Sequence, residues 1–275
     1  MSVNPHISTA SCPIGIFDSG VGGLTVLQAL SERMPGEQYL YLGDTARLPY
    51  GTKTETTVRR YALNAAAHLV RHDVKLLVVA CNTASSYALE AVAAASPVPV
   101  VGVVQPGVRA ALLTGADRIG VIGTEGTIRS AAYQKTLAGL GPTIQVRAKA
   151  CPLFVPLAEE GWGDHPVTDQ VARHYLQPIL EWGADTLILG CTHYPLLRPS
   201  LRRVVGPQIQ LVDSATAVTD AVVVDHAELI DTSHGETGDV HIQLTDASDR
   251  FLRIAFAILG REPEHLEVVD IDSVA

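Results

Sequence analysis

"DTLILGCTHYP" (185–195) starts as a short apolar run and ends with a thiol, a hydroxyl and an imidazole side by side, at Cys191, Thr192 and His193. A proline follows at 195, and a helix-like pattern after it. About 110 residues earlier, "KLLVVACNTAS" (75–85) does the same: an apolar run reaches Cys81, then Asn82 and Thr83. The likeness extends outward. "IGIFDSGVGG" (14–23) resembles "IGVIGTEGT" (119–127). "YLYLGDTARLPYG" (39–51) ends a second strand in a long acidic loop, as "RAKACPLFVPLAEEGW" (147–162) does in the second half. Three successive strand-to-helix loops thus recur in order and spacing. All α/β chains look alike at coarse resolution; a rare residue, Cys, at the same point in both halves is what marks this one as two pseudo-symmetric lobes.

The remaining short runs rich in Val, Ile and Leu fit the same scheme. Strands are expected at 14–17, 38–43, 75–80, 99–104, 118–123, 144–149, 185–190 and 209–213, with helices between them such as 54–72, capped by Thr54, and 166–181. The runs read as apolar throughout rather than alternating, so both faces of each sheet should be covered. This is α/β architecture with mainly parallel sheets. Ligands of such sheets sit outside the carboxyl ends of the strands. All six matched loops lie at those ends, so two facing lobes would surround one cleft.

Composition narrows the function. The 275 residues suffice for one large domain or two ordinary ones, and 47 % hydrophobic residues support a substantial core. The net charge is −9 and the Arg pairs at 59–60 and 202–203 are isolated, which argues against nucleic-acid binding. Cysteines stand at 12, 81, 151 and 191 without a C-x-x-C pair, so neither a zinc ribbon nor a thioredoxin-type site is indicated and no metal is expected. The N-terminus lacks the pattern of a signal peptide, and no apolar run reaches the roughly 18 residues of a membrane span. A cytoplasmic setting with reduced thiols is the expectation. "DSGVGG" is not G-x-G-x-x-G and has no P-loop Lys, so no dinucleotide is expected. Lys75 opens a strand away from the cleft. Lys53 and Lys149 lie near site-facing loops and leave a pyridoxal Schiff base open, but twin thiols make one unnecessary.

Cys81 and Cys191 each end a strand where a helix is expected to begin. The helix N-terminus there should lower the thiol pKa. The alternative, an inert small hydrophobe, fits one cysteine better than a matched pair with polar neighbours. Two thiols entering a cleft from opposite lobes suit protonation of a planar carbanion on either face, one taking a proton as thiolate and the other giving one as thiol. His193 either serves the Cys191 thiol or caps the helix. Asp18, Asp44 and Glu159 follow the first, second and sixth strands; such carboxylates orient thiols or bind a substrate ammonium, or they cap turns. The loop at Ser19 offers N–H groups to a small anion. Asn82, Thr83, Thr192, Thr124 and Thr127 add donors, and Tyr50 and Gly51 reach the cleft rim. Cys12 and Cys151 read as non-catalytic.

"IGIFDSGVGGLTVL", "YLGDTARLPYGTK", "ACNTAS", "CPLFVPLAEEG" and "LGCTHYPLL" together resemble the glutamate racemases of the cofactor-independent aspartate/glutamate racemase superfamily, from about residue 13 to 215. The resemblance implies two flavodoxin-like lobes, residues 1–104 with 214–275 and residues 105–213, with the active site between them. It implies conversion between L- and D-glutamate for peptidoglycan, without cofactor or metal, and a homodimer. Carried over by motif, Cys81 acts on D-glutamate and Cys191 on L-glutamate. Asp18 and His193 assist the thiols, with Asp44 and Glu159 as further acidic residues. Substrate binding falls to Asp18, Ser19, Tyr50, Gly51, Asn82, Thr83, Thr192 and His193, joined by Thr124 and Thr127. The N-terminal extension is short for a member controlled by a peptidoglycan precursor. The rivals are a sister enzyme of the superfamily, a two-lobed protein that binds an amino acid without reacting, and a thiol hydrolase with a Cys–His dyad.

Overall fold

The computed structural model describes residues 12–230, 238–263 and 265–271, so most of the N-terminal extension lies outside the described residues. Two sheets organise the chain. The first runs β10-β9-β2-β1-β3-β4, with β1 at Ile14–Asp18, β2 at Tyr39–Gly43, β3 at Leu76–Val79, β4 at Val100–Gly102, β9 at Val240–Leu244 and β10 at His265–Val268. The second runs β6-β5-β7-β8, with β5 at Arg118–Gly123, β6 at Gln145–Ala150, β7 at Thr186–Gly190 and β8 at Gln210–Asp213. Every pairing is parallel. Without its two C-terminal strands the first sheet reads β2-β1-β3-β4, the order of β6-β5-β7-β8. The duplication seen in the loops is therefore a duplication of topology. In both sheets the winding reverses at one point, between β1 and β3 and between β5 and β7, which is where ligands of open α/β sheets bind.

Eleven α-helices among the described residues connect these strands: α1 (Leu24–Arg33), α2 (Glu55–Val70), α3 (Asn82–Ala95), α4 (Val104–Leu113), α5 (Glu125–Ser130), α6 (Ala132–Leu140), α7 (Phe154–Glu159), α8 (Pro166–Glu181), α9 (Arg198–Val205), α10 (Ser214–Asp225) and α11 (Asp249–Leu259). The eight expected strands all form. Thr54 does cap α2, its Oγ1 accepting from Thr57 N at 3.4 Å. β1, β2, β3 and β7 are buried along their whole length, as strands covered on both faces must be. β6 departs from the uniformly apolar reading: "QVRAKA" alternates between exposed and half-buried residues. It is an edge strand with one solvated face, so Arg147 and Lys149 point outward without cost.

The C-terminal segment returns to the first sheet. β9 pairs with β2, and Val218, Val222, Ile242, Phe251 and Ile254 join Ile16, Leu24 and Tyr41 in one core. Each such side chain brings about 1.5–3 kcal/mol on burial, while closure entropy rises only logarithmically with the length of the intervening chain. The return is thus favoured despite a whole second sheet between β4 and β9. α4, in contrast, packs Val108 and Ala111 against Val121, Tyr133 and Ile188 of the other half. No helix among the described residues is long and apolar enough to cross a membrane.

Candidate active site

All six matched loops border one narrow cavity. Ser19 comes from the end of β1, Tyr50 and Gly51 from the loop after β2, and Cys81, Asn82 and Thr83 from the end of β3. Thr124 comes from the end of β5, Glu159 from α7, and Cys191, Thr192 and His193 from the end of β7. Asp18, Asp44 and Thr127 do not line it; they stand directly behind residues that do.

Cys81 is the N-cap of α3. Its Sγ accepts from Ala84 N at 3.5 Å, and its thiol donates to Ser19 Oγ at 3.4 Å. The expected lowering of its pKa does not occur. Burial, reinforced by the Asp18 carboxylate, pushes the thiol up to about 12, and the Ser19 and Ala84 contacts oppose this without winning. Desolvation of the thiolate outweighs the helix N-terminus here, so at rest Cys81 keeps its proton. Burial likewise raises Asp18, against the pull of His193 and of hydrogen bonds from Gly20, Gly23 and Thr192. Its Oδ2 accepts from Gly20 N at 2.9 Å and its Oδ1 from Thr192 Oγ1 at 3.4 Å. The glycine-rich loop therefore closes the Gly20 and Gly23 N–H groups on the chain's own Asp18, where the sequence pointed to an anion from outside. Tyr41 fixes the loop from below, donating to Gly20 O at 2.7 Å.

Cys191 is placed differently. No α-helix begins at it. A turn and a short 3-10 segment, Tyr194–Leu197, separate β7 from α9. What faces the thiol is His193, whose Nδ1 lies 3.9 Å from Sγ. The other ring nitrogen, Nε2, is 3.2 Å from Glu159 Oε1, an ion-pair contact that falls outside hydrogen-bond geometry. Burial works to lower the His193 pKa, but Cys191 and Glu159 outweigh it and push the imidazole up to about 10. Glu159 is held below the usual carboxylate range: burial works to raise it, and His193 together with Arg250 prevails. His193 is accordingly an imidazolium at neutral pH, set between the Glu159 carboxylate and the Cys191 sulfur.

A pH dependence follows. The folded-state pKa of His193 lies above its ordinary value of about 6.5. Its contribution to stability is complete below that pH and is lost as pH rises toward 10. Denaturant melts of the parent and of His193→Gln at pH 6, 8 and 10 should show a stability difference that shrinks by more than about 1 kcal/mol over this window. A difference that stays flat would refute the charged imidazole.

The donor side of the cleft is built by neighbours. Asn82 Oδ1 accepts from Tyr133 Oη at 2.6 Å and from Ser214 Oγ at 3.2 Å. That fixes the amide and leaves Nδ2 buried without a hydrogen-bond partner among the described residues, a donor ready for a substrate oxygen. The hydroxyls of Thr83, Thr124 and Thr127 form a triangle with sides of 2.9, 3.2 and 3.0 Å that joins α3 to the β5 loop. Gly51 permits that approach: a Cβ there would stand 2.6 Å from Thr124 Cβ. Tyr50 donates its hydroxyl to Asp44, which also accepts from Arg47 Nε at 2.9 Å and from Thr245 Oγ1 at 3.0 Å. Asp44 is thus an anchor for Tyr50 rather than a carboxylate in the cleft.

Sequence reasoning missed Tyr41, Tyr133, Ser214 and Arg250. Tyr41 belongs to the strand of a matched stretch and the other three come from elements outside them; nothing in their local sequence marks any of the four. Among the described residues no group of three or more His, Cys, Asp or Glu is arranged to hold a metal ion.

Two α/β units of one strand order each deliver a strand-end cysteine to a shared cleft, an α/β architecture of two lobes with one site between them. The family model described as Asp/Glu/Hydantoin racemase matches residues 22–222, and the chain belongs to that family. A glutamate racemase of Geobacter metallireducens is 52 % identical over 250 residues, which cover 90 % of this chain and 92 % of that protein. One from Syntrophus aciditrophicus is 48 % identical over 265 residues, covering 94 % and 97 %. The crystal structure of glutamate racemase from Francisella tularensis in complex with D-glutamate matches with a TM-score of 0.89 at 34 % identity, covering 96 % of this chain and 99 % of that one.

Proposed function

We propose that this chain is a glutamate racemase, a cofactor-independent isomerase that supplies D-glutamate for peptidoglycan, and that it works with Cys81 and Cys191 as its two acid/base groups. The observation that carries the reading is the entry of both thiols into one cavity from matched positions after β3 and β7. With L-glutamate bound, the Cys191 thiolate takes the α-proton. The C–H bond breaks, an S–H bond forms, and the electron pair stays on Cα and its carboxylate. The Cys81 thiol then gives its proton to the opposite face, leaving D-glutamate, a Cys81 thiolate and a Cys191 thiol. The reverse reaction exchanges the roles.

The surroundings suit this division of labour. Burial keeps Cys81 protonated and ready to donate. The His193 imidazolium is a counter-charge for a thiolate at Cys191. Asn82 Nδ2 and the threonine hydroxyls are donors for the carboxylates, and donors fixed in advance stabilise charge as it develops on the substrate. The overall charge of −9 gives the substrate anion no help, so these local donors carry its binding. On the same reading the two lobes divide near residues 104 and 214, and the enzyme is a cytoplasmic homodimer acting on a small molecule, with no nucleic acid involved.

In D₂O, L-glutamate incubated with the protein should lose optical rotation while deuterium enters Cα, and L-aspartate should do neither. A protein that merely binds the amino acid would leave both rotation and Cα–H unchanged, and that result would sink the proposal.

A further inference from the structure

Arg250 does not border the cleft and belongs to none of the matched loops. It sits in the first turn of α11, within the segment that completes the six-stranded sheet. Its side chain crosses to α7 of the other half, where Nη2 lies 3.2 Å from Glu159 Oε2 and 3.0 Å from Glu160 Oε1. The other Glu159 oxygen, Oε1, is 3.2 Å from His193 Nε2, and His193 Nδ1 is 3.9 Å from Cys191 Sγ. Arg250, Glu159, His193 and Cys191 therefore form one chain from solvent to thiol, and its outer end is supplied by the opposite lobe.

We propose that Arg250 is a positioning residue for the reaction at Cys191: it pins Glu159 across the lobe boundary and keeps it ionised, so that His193 holds its orientation and its proton when the lobes are together. This rests on the reading of Cys191 as an acid/base group. A carboxylate with a cation at one oxygen can swing away from it; cations at both oxygens, an imidazolium and a guanidinium, restrain it between them. Glu159 keeps only 17 % of its side chain exposed, so loss of the cation leaves a largely buried charge with one partner fewer. The charged and ionisable groups facing this pair are Cys191 beside His193, Asp18 behind the β1 loop, and Glu160 next to Arg250. The first two favour the imidazolium. Arg250 lies beyond Glu159 and acts on the imidazolium through that carboxylate, which it holds in the charged form.

Arg250→Gln and Arg250→Lys test the proposal, with Cys191→Ser as the control. The two enantiomers have equal free energy, so kcat/KM must change equally in both directions. The step affected shows instead in isotope effects. In R250Q, kcat/KM should fall about fivefold, the upper range for a partly exposed ion pair. The effect of α-deuterium should grow with L-glutamate, whose proton Cys191 removes, and shrink with D-glutamate. The acid limb of the pH profile should move up, because Glu159 then protonates at higher pH, and R250K should restore most of the loss. If C191S is inactive while R250Q stays within twofold of the parent, or loses activity with isotope effects and acid limb unmoved, Arg250 has no such role. Racemisation by C191S would overturn the underlying assignment instead.

Discussion

Replacing either Cys81 or Cys191 with Ser is expected to lower glutamate racemisation by about 10³-fold, within the range of 10²–10⁴ that general acid–base groups supply. A hydroxyl is a far weaker acid than a thiol, so serine neither forms the anion that takes the α-proton nor gives up a proton as readily. The two variants should nevertheless differ in what they retain. Cys81→Ser keeps Cys191, and in D₂O it should exchange the α-proton of L-glutamate slowly without making D-glutamate. Cys191→Ser should exchange that of D-glutamate without making the L-form. Chiral chromatography with mass detection of Cα deuterium reads both. The pattern separates two bases from the Cys–His hydrolase alternative, in which Cys81 is dispensable. Near-normal turnover in either variant would defeat the two-base mechanism.

The asymmetry between the thiols was not legible in the sequence. "ACN" and "GCT" look equivalent as strand ends, and the shared expectation was a helix N-terminus lowering both pKa values. The structure gives that helix only to Cys81, and burial reverses its effect there. Cys191 has a turn and an imidazole instead. Burial depends on what the rest of the chain stacks over a residue, and a local motif does not record it. The same limit explains Asp44: its place after a strand is visible in "LGDTAR", but Tyr50, Arg47 and Thr245 closing around it is not.

The fold was more legible because it rests on patterns that survive in one dimension. Alternating apolar runs and helical periods fixed the eight strands, and the repeated cysteines fixed the pairing of halves. β9 and β10 escaped because "VHIQL" sets His241 and Gln243 between its apolar residues, and "HLEV", the edge strand, has no buried position. The place of β9 beside β2 comes from long-range packing of Ile242, Leu244 and Phe251, and β10 follows by pairing with β9. Tyr133 and Ser214, which orient Asn82, illustrate the same gap within the site: each lies far along the chain from the amide it holds.

Gly22→Ala is expected to cost about 10²-fold in kcat while leaving a folded protein. Gly22 lies in the turn before α1, against the Thr192–His193 pair of the opposite lobe. Thr25 Oγ1 holds that contact from behind, at 2.8 Å from Gly22 O and 3.3 Å from Thr192 O. A methyl group on Gly22 would stand 2.4 Å from His193 Nδ1 and 2.5 Å from Thr192 Oγ1, closer than side chains tolerate. The imidazole has little room to give, because its other nitrogen faces Glu159 at 3.2 Å. Relief therefore requires either the ring to leave its line to Cys191 or the two lobes to part at this point. A displacement of about 1 Å at a reacting group is enough to cost two orders of magnitude, whereas overpacking at one position costs about 1–3 kcal/mol of stability. Steady-state kinetics beside a denaturant melt separates the two effects. If the variant keeps kcat within twofold and the acid limb of its pH profile unmoved, the close fit between the β1 loop and His193 does not position the imidazole for catalysis.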